Sequence, residues 1–524
     1  MRLTPPTLAA LAFALTVTVG TPHLDSEMWV YEPNAPFGQN PQPSNAPTIQ
    51  VYSRETILDV LVTDDKGQPV RGLTRSDFTI LEDNKPQPIR GFSEFDKATP
   101  PPPPRTPPPN TYTNSAALPA NGPVQILLID EADSGPAYIE RSRQYIADYL
   151  RTMPPGTQVA IFHLSPTKSL RLLQGFTTDG KLAAAALNNF NVEWDVIWDQ
   201  RISFDAKIAA LNQLAAYVAS IHGRKNLIWV VPHVLLVARD GGYADPCGGV
   251  PDMTYAHRLM DLYDIFTREQ ISVYKLSPKG VPRMGCSDLR DEEVTEQTGG
   301  VISDSNDWKG AIAGIVDDTS HGYTLSFVPP RPAEDSHYHP ISIKVDRPGL
   351  HLTYRDGYND EQPDPPSAVL KQQMTQGPMR LGALPATQVL FDLHVQPASP
   401  DAQPTKTPVS NPAPAHTKDA PYHALFTFDP TQIALTQNPD GIRTASIELD
   451  LGAYDFYGKL VAARSQTFKI TVTPAQDNGF YRKPLNLSLA IDLPRGQLTL
   501  RAGVFDTSDG KIGTLEIPLT IPKK

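Results

Sequence analysis

Residues 126–130 read ILLID, a continuous apolar run, and similar runs follow at 158–164 (QVAIFHL), 226–231 (NLIWVV) and 271–277 (ISVYKLS). Runs of this kind are typical of strands that are buried on both faces, as in parallel sheets. Between them lie segments such as 204–218, in which apolar residues recur at three- and four-residue steps, the period of an amphipathic helix. Strands that alternate with helices of this length predict βαβ units and a doubly wound, mostly parallel sheet.

The same rhythm assigns the other elements between residues 124 and 321. The predicted helices are 138–152, 181–190, 204–218, 254–268, 288–297 and 308–319. An edge strand is predicted at 170–176 and a further strand at 299–303. This region is therefore predicted to be one α/β domain.

Short alternating strand patterns flank the α/β region and predict all-β modules. Residues 49–97 are interpreted as the first half of a β-sandwich that 322–358 completes, so the α/β domain would be an insertion within it. The alternative is two unconnected β segments. The remaining predicted divisions are a signal peptide at 1–20, an irregular segment at 21–48, Pro-rich or polar linkers at 98–123 and 359–385, and a C-terminal β-sandwich at 386–524 with a Pro-rich insertion at 399–421.

Composition limits the class of protein. With 524 residues, the chain is long enough for two to four domains, and its 54 prolines are about twice the usual share. The formal net charge of -11 argues against nucleic-acid binding, because no basic stripe is present to neutralise phosphates.

The N-terminal sequence MRLTPPTLAALAFALTVTVG predicts export. Arg2 supplies a positive charge, 8–19 form an apolar core that is short for a membrane span, and Gly20 is a small residue suited to cleavage. The mature chain is expected to be secreted, periplasmic or held at the cell surface, without an integral membrane span. An uncleaved N-terminal anchor is the alternative.

Seven segments carry a family resemblance when taken together and in order. They are ILDVLVTDDKGQPVRGLTRSDFTILEDNKPQPI (57–89), ILLIDEADS (126–134), PPGTQVAIFHL (154–164), LRLLQGFTTD (170–179), GRKNLIWV (223–230), TGGVISDSND (298–307) and YTLSFVPP with ISIKVDRPGLHLTYRDGY (323–330 and 341–358). In this order they resemble the VWFA-related domain family, of the acidobacterial type, whose domains are similar to the von Willebrand factor A (VWA) domain. The resemblance spans residues 49–358 and implies a VWA-like fold and export.

A VWA domain usually holds Mg²⁺ or Ca²⁺ at the carboxyl edge of its sheet, in a metal-ion-dependent adhesion site. Its first loop, Asp-x-Ser-x-Ser, supplies hard oxygen ligands. Here the resemblance places Asp130 and Ser134 at two ligand positions, but Ala132 replaces the first serine, and Val231 and Pro232 stand where a further Asp is usual. The site is therefore expected to be degenerate, with no cofactor.

Two interpretations of the first loop remain open. Asp130 and Ser134 would hold Mg²⁺ or Ca²⁺, or Asp130 would cap the following helix. The proposed binding residues are Asp130, Asp133, Ser134 and Ser203, of which Ser203 is a loose candidate for the missing threonine ligand and a candidate N-cap of the helix at 204–218.

Cys247 and Cys286 are the two cysteines of the chain. In a VWA-like strand order they follow neighbouring strands at the same sheet edge, so a disulfide between them is expected in an exported protein. Two free thiols are the alternative.

No nucleophile elbow, zinc-binding His-Glu-x-x-His or phosphate-binding glycine loop occurs in the sequence. The favoured function is an exported, non-enzymatic VWA-like module that binds or scaffolds a protein or another cell-envelope component through the carboxyl edge of its sheet. A divalent-cation-dependent adhesin that uses Asp130 and Ser134 is the first alternative, and an exported enzyme of unknown class is the second.

Overall fold

The structure is a computed structural model. It describes residues 55–96, 108–114, 119, 122–131, 136–165, 170–189, 200–231, 253–277, 292, 294–329, 338–359, 377–398, 419–438 and 440–522. The predicted signal peptide at 1–20 and the segment 21–48 lie outside the described residues. So do residues 399–418 of the predicted insertion 399–421, half of the predicted helix at 288–297, and residue 439.

Strands outnumber helices in the described part of the chain. The strands are β1 (Thr56–Asp64), β2 (Phe78–Glu82), β3 (Lys85–Gln87), β4 (Gly91–Asp96), β5 (Thr111–Thr113), β6 (Val124–Asp130), β7 (Val159–Leu164), β8 (Arg171–Thr177), β9 (Lys225–Val230), β10 (Ile271–Ser277), β11 (Ile302–Asp304), β12 (His321–Phe327), β13 (Tyr338–Val345), β14 (Leu350–Thr353), β15 (Gly357–Asn359), β16 (Phe391–Pro397), β17 (Ala420–Phe428), β18 (Thr436–Gln437), β19 (Arg443–Tyr454), β20 (Leu460–Val472), β21 (Leu485–Leu493), β22 (Gly496–Asp506) and β23 (Ile512–Ile521). The helices are α1 (Pro136–Leu150), α2 (Gly180–Asn188), α3 (Gln200–Val218), α4 (Met253–Arg268), α5 (Trp308–Asp318) and α6 (Asp477–Phe480), with short 3₁₀ turns at Arg75–Asp77 and Pro430–Gln432.

The middle of the chain is a mixed α/β unit on a mostly parallel sheet. Its strand order is β11-β10-β9-β6-β7-β8. The pairs from β11 to β7 are parallel, whereas β8 runs antiparallel to β7 at the sheet edge. Strands β6, β7, β9 and β10 are buried along their whole length. The continuous apolar runs of the sequence therefore correspond to central strands with helices above and below.

The two faces of this sheet belong to two separate cores. Even-numbered residues of β6, such as Ile126 and Leu128, pack with apolar residues of α3 and α4. Odd-numbered ones, such as Leu127 and Ile129, pack with α1, α2 and α5. The alternation of side chains along a strand thus sends neighbouring residues to opposite helix layers.

Two four-stranded antiparallel sheets flank the α/β unit in sequence. Their orders are β14-β1-β12-β4 and β15-β13-β2-β3, and they enclose one apolar core. Strand β1 pairs with β12 and β14, and β2 pairs with β13, so residues from before and after the α/β unit form the same sheets. At the junction, Asp96 at the end of β4 lies opposite His321 at the start of β12.

The C-terminal part contains two further antiparallel sheets around a second all-β core. One has the order β21-β17-β16-β5, and the other has β18-β19-β22-β23, with β20 also paired to β19. Strand β19 buries alternate residues along most of its length, whereas β20 alternates mainly between half-buried and exposed residues.

Both predicted linkers depart from expectation. In the predicted linker 98–123, residues 111–113 form β5, which pairs with β16 as an edge strand of the C-terminal sheet. In the predicted linker 359–385, the carbonyl oxygens of Pro378 and Leu384 accept hydrogen bonds from the buried Arg501 guanidinium. A Pro-rich composition does not reveal these contacts, because an edge strand and a carbonyl acceptor make no demand on apolar periodicity.

The α/β unit contacts both all-β parts through named side chains. The amide of Gln270, between α4 and β10, donates to the Asp59 carboxylate of β1. Thr387, just before β16, donates through Oγ1 to the carbonyl oxygens of Ala216 and Tyr217, and accepts from the Ser220 N–H, at the C-terminus of α3. Both contacts involve the end of the unit that is remote from the carboxyl edge of its sheet.

Candidate functional site

The carboxyl edge of the parallel sheet is where the longest connections of the α/β unit emerge. β9 ends at Val230 and α4 begins only at Met253, whereas at the opposite edge α4 ends at Arg268 and β10 begins at Ile271. Open α/β sheets bind their ligands at the carboxyl edge of the strands, and long connections commonly carry function.

Asp130, the last residue of β6, lies at this edge and is fully buried. Lys207 Nζ of α3 lies 3.1 Å from Asp130 Oδ2, and both side chains are 0% exposed. Trp229 Nε1 of β9 donates a hydrogen bond of 3.1 Å to the same oxygen. The ammonium also lies 5.9 Å from the centre of the Trp229 ring. Asp130 is therefore part of an internal ion pair with an indole as a second donor.

The position of Lys207 follows from the helical period. Lys207, Leu211, Leu214 and Val218 recur at steps of four, three and four residues, and all four are buried. Lys207 thus occupies the inward-facing stripe in the N-terminal half of α3, from which its ammonium reaches the end of β6 at the carboxyl edge. The aliphatic stem of a lysine can pack in such a stripe while its ammonium reaches a polar partner.

A second buried pair lies on the other side of the sheet. His163 Nε2 of β7 lies 2.6 Å from Oε2 of Glu131, the residue that follows β6. Both side chains are nearly or fully buried, at 0% and 4% exposed. Since consecutive residues of a strand point to opposite faces, Asp130 faces α3 whereas Glu131 and His163 lie on the opposite side. Ser165, directly after β7, is also buried there.

Tyr138 of α1 adds to the polar character of this edge. Its hydroxyl donates to the carbonyl oxygen of Leu276 near the end of β10, at 3.5 Å. Burial raises the pKa of Tyr138 well above its ordinary value, and the negative charge of the nearby Asp130 carboxylate adds to this effect. The phenol is therefore a neutral donor throughout the physiological pH range.

The structure covers only part of the sequence-derived site. Asp133, Ser134, Cys247 and Cys286 lie outside the described residues, so the second ligand position and the disulfide stay predictions. Ser203 lies within α3, which begins at Gln200, and its side chain lies outside the described part. The expectation that Ser203 is an N-cap is wrong, because the helix starts three residues before it.

Within the described part of the chain, the surroundings of Asp130 do not fit the divalent ion that the family resemblance implies. A Mg²⁺ or Ca²⁺ ion bound to a carboxylate lies about 2.0–2.6 Å from its oxygen, which would bring it close to the Lys207 ammonium. Repulsion between a divalent and a univalent cation at about 4 Å amounts to several kcal/mol even at an effective dielectric constant of 20. Lys207 already supplies the positive charge that a buried carboxylate requires.

Sequence reasoning missed Lys207 and Trp229. A signal for Lys207 was present: it is a charged residue in register with the apolar stripe of α3. A buried lysine is almost always paired, so this register alone predicts a buried carboxylate opposite it. Trp229 gave no such signal, because an indole in an apolar run is consistent with simple packing.

No family model matches this chain, and no curated protein matches it. Among solved structures, it is similar to an aerotolerance-related membrane protein from Bacteroides fragilis, with 15% identity over 37% of this chain and 98% of that one and a TM-score of 0.25. The chain is also similar to BatB from Bacteroides thetaiotaomicron, with 14% identity over 37% of this chain and 97% of that one and a TM-score of 0.25.

A third similar structure is proximal thread matrix protein 1 from the mussel byssus, in a form with a zinc-occupied MIDAS motif. Its identity is 10% over 39% of this chain and 47% of that one, with a TM-score of 0.26. At these scores none of the three similarities assigns a function to this chain. None of the helices in the described part of the chain combines the length and the apolar character needed to cross a membrane.

Proposed function

We propose that this chain is an exported, non-enzymatic VWA-like module that binds or scaffolds a protein of the cell envelope without a divalent cation. Its binding face is the set of connections at the carboxyl edge of the parallel sheet. The observation that carries the proposal is the buried ion pair between Asp130 and Lys207.

The ion pair supports a metal-independent mode of binding. In a cation-dependent adhesin, the first carboxylate must be able to share a metal with the partner. Here the corresponding carboxylate is turned onto Lys207 and Trp229 and has no exposed surface. Partner recognition would then depend on the shape and polarity of the surrounding connections.

Burial of the titratable groups supports a non-enzymatic role. Asp130, Glu131 and His163 would be natural candidates for acid–base chemistry, since a catalytic group must reach the proton that it moves. All three are at most 5% exposed, and each already has a partner within the protein. Such an arrangement suits a rigid base beneath a binding surface.

The sheet topology supports the VWA-like interpretation. The order β11-β10-β9-β6-β7-β8, with β8 antiparallel at the edge, agrees with the fold implied by the sequence resemblance. The all-β parts on either side are interpreted as β-sandwiches that hold the α/β unit by the opposite end and leave the carboxyl edge to a partner.

Site-directed photo-crosslinking in the native envelope tests the proposal. A photoreactive residue at position 239, in the connection between β9 and α4, is expected to crosslink to a specific partner. The same residue at position 155 is the matched control, because Pro155 is exposed between α1 and β7 at the opposite sheet edge. We expect the crosslink from position 239 to persist in EDTA. We expect no crosslink from position 155.

Two results would overturn the proposal. Loss of the crosslink in EDTA, with recovery on addition of Mg²⁺ or Ca²⁺, would indicate a cation-dependent adhesin. Equal crosslinking from both positions would show that the carboxyl edge is not the binding face.

A further inference from the structure

The hairpin between β19 and β20 presents two adjacent aromatic side chains to solvent. Phe456 is 83% exposed and Tyr457 is 89% exposed, whereas the other exposed large apolar side chains in the described part of the chain are at most 50% exposed. Single exposed apolar residues are common, but contiguous apolar surface marks an interaction site.

The turn that carries these residues is firmly built. Asp455 Oδ1 accepts hydrogen bonds of 2.9 Å from the N–H groups of Tyr457 and Lys459. The Gly458 N–H donates to the Asp455 carbonyl oxygen at 2.9 Å, and Gly458 has a φ of +76°, a region that favours glycine. Asp and Gly at the ends of the turn meet its geometric needs, while the two central positions accept most residue types. The two aromatics are therefore not required by the turn.

A second loop broadens the tip. A Cβ placed on Gly458 would lie 3.4 Å from Leu381 Cδ2, and the Tyr454 hydroxyl donates to the Met379 carbonyl oxygen at 3.5 Å. The loop at 379–382 and the hairpin tip thus adjoin each other. Leu381 and Leu460, 39% and 50% exposed, extend the apolar surface.

Two exposed cationic side chains lie beside this surface. Lys459 follows the two aromatics and Arg380 precedes Leu381, and both are exposed. The Glu516 carboxylate, which accepts a hydrogen bond from the Gly382 N–H, lies 3.5 Å from the Arg501 guanidinium. The carboxylate of the turn, Asp455, is engaged with backbone N–H groups. In a chain with a net charge of -11, the tip is a local combination of aromatic and cationic groups.

We propose that this tip, formed by Phe456, Tyr457, Leu381 and Leu460 with Lys459 and Arg380, inserts into the surface of an anionic lipid bilayer. Phe456 and Tyr457 project from the turn, 83% and 89% exposed, and their rings lie at 85° to each other, so the two rings do not form a flat platform for a rigid partner. A bilayer interface can close around two projecting side chains. Aromatic residues favour that interface, and lysine or arginine beside it attracts anionic headgroups.

Vesicle co-sedimentation of the full exported chain tests this inference. At low ionic strength, we expect binding to vesicles of phosphatidylcholine and phosphatidylglycerol that exceeds binding to phosphatidylcholine alone. The double variant Phe456→Ser/Tyr457→Ser is expected to lose at least about tenfold in affinity for the anionic vesicles. Lys459→Gln should weaken binding to the anionic vesicles and reduce its dependence on salt.

Tyr481→Ser is the matched control, because Tyr481 is 38% exposed and follows α6, at the opposite end of β20 from the tip. It should bind the vesicles like the wild type. Equal urea midpoints for all variants establish that each has folded. In the variant Tyr457→Trp, the indole emission should shift to shorter wavelength when anionic vesicles are added.

Three results would overturn the inference. The first is a wild-type chain that does not bind anionic vesicles at low ionic strength. The second is unchanged binding by the double variant. The third is self-association of the wild type through the tip, seen as a concentration-dependent mass that the double variant loses while vesicles have no effect.

Discussion

Lys207 and Asp130 form an ion pair inside the α/β unit, with Nζ 3.1 Å from Oδ2 and no exposed surface on either side chain. The pair joins α3 to the last residue of β6 at the sheet edge where the resemblance places a divalent cation. The ammonium of Lys207 stabilises the buried carboxylate and links the helix to the end of the strand.

Removing one member of this pair should be costly. Lys207→Met leaves an uncompensated carboxylate in the interior and is expected to lower the free energy of unfolding by about 3–5 kcal/mol. The midpoint of urea denaturation measures this loss. The double variant Asp130→Asn/Lys207→Met removes both charges and should regain most of the stability. A Lys207→Met variant as stable as the wild type would show that the ion pair contributes little.

Lys225, at the start of β9, should make stability rise in alkaline solution. Burial lowers its pKa to about 8 from an ordinary 10.5, although Glu269 and Asp59 act in the opposite direction. Below pH 8 both the folded and the unfolded chain carry the proton. Between about pH 8 and 10.5 the unfolded chain binds more protons, so the free energy of unfolding increases with pH, by about 3 kcal/mol in total.

The test compares the wild type with Lys225→Met in urea at a series of pH values. As pH rises from about 8 to 10.5, the unfolding free energy of the wild type should increase relative to that of Lys225→Met. Parallel pH profiles would contradict the assignment of a lowered pKa to this lysine.

Asp450 of β19 should have the opposite effect on the acid side. Burial raises its pKa to about 6, Ser465 opposes the shift and Glu448 adds to it. Between an ordinary value of 3.8 and about 6, the folded chain binds more protons, so the free energy of unfolding falls as pH rises. Asp450→Asn is therefore expected to stabilise the protein at pH 7 by about 2 kcal/mol.

Thermal unfolding at pH 7 and at pH 4 measures this effect, and the advantage of Asp450→Asn should largely disappear at the lower pH. Asp492→Asn, at an exposed position of β21, is the matched control and should change little at either pH. A destabilised Asp450→Asn variant at pH 7 would show that the carboxylate makes a favourable contact that burial does not outweigh.

Thr387 should couple the C-terminal part of the chain to α3. Its Oγ1 donates to the carbonyl oxygens of Ala216 and Tyr217 and accepts from the Ser220 N–H. Thr387→Val keeps the shape but leaves these backbone groups without the hydroxyl, at an expected cost of about 1–3 kcal/mol. Hydrogen exchange should show faster exchange at the C-terminal end of α3, and unchanged exchange there would contradict the proposed contact.

The sequence predicted the elements of the α/β unit closely because burial on both faces leaves a strong pattern. The strand predicted at 271–277 is β10, and the helix predicted at 308–319 is α5 within one residue. Continuous apolar runs and three-to-four periodicity are local signals, and the structure places the corresponding strands in one sheet.

Non-local contacts were beyond such reasoning. Residues 111–113 form β5 because β16 supplies a free edge, which the Pro-rich sequence around them does not indicate. The partner of Asp130 was likewise not predicted, because the helical pattern of α3 shows that Lys207 faces inward but not which strand end it meets. Glu131 and His163 are 32 positions apart in the sequence, and the parallel pairing of β6 and β7 brings their side chains into contact.

Calorimetric titration of the full chain with Mg²⁺, Ca²⁺ and Mn²⁺ determines whether Asp130 binds a divalent cation. We expect no stoichiometric heat that depends on Asp130, because Lys207 supplies the charge at that carboxylate. A one-to-one binding heat that disappears in Asp130→Asn, measured beside the wild type in the same buffer, would contradict this expectation.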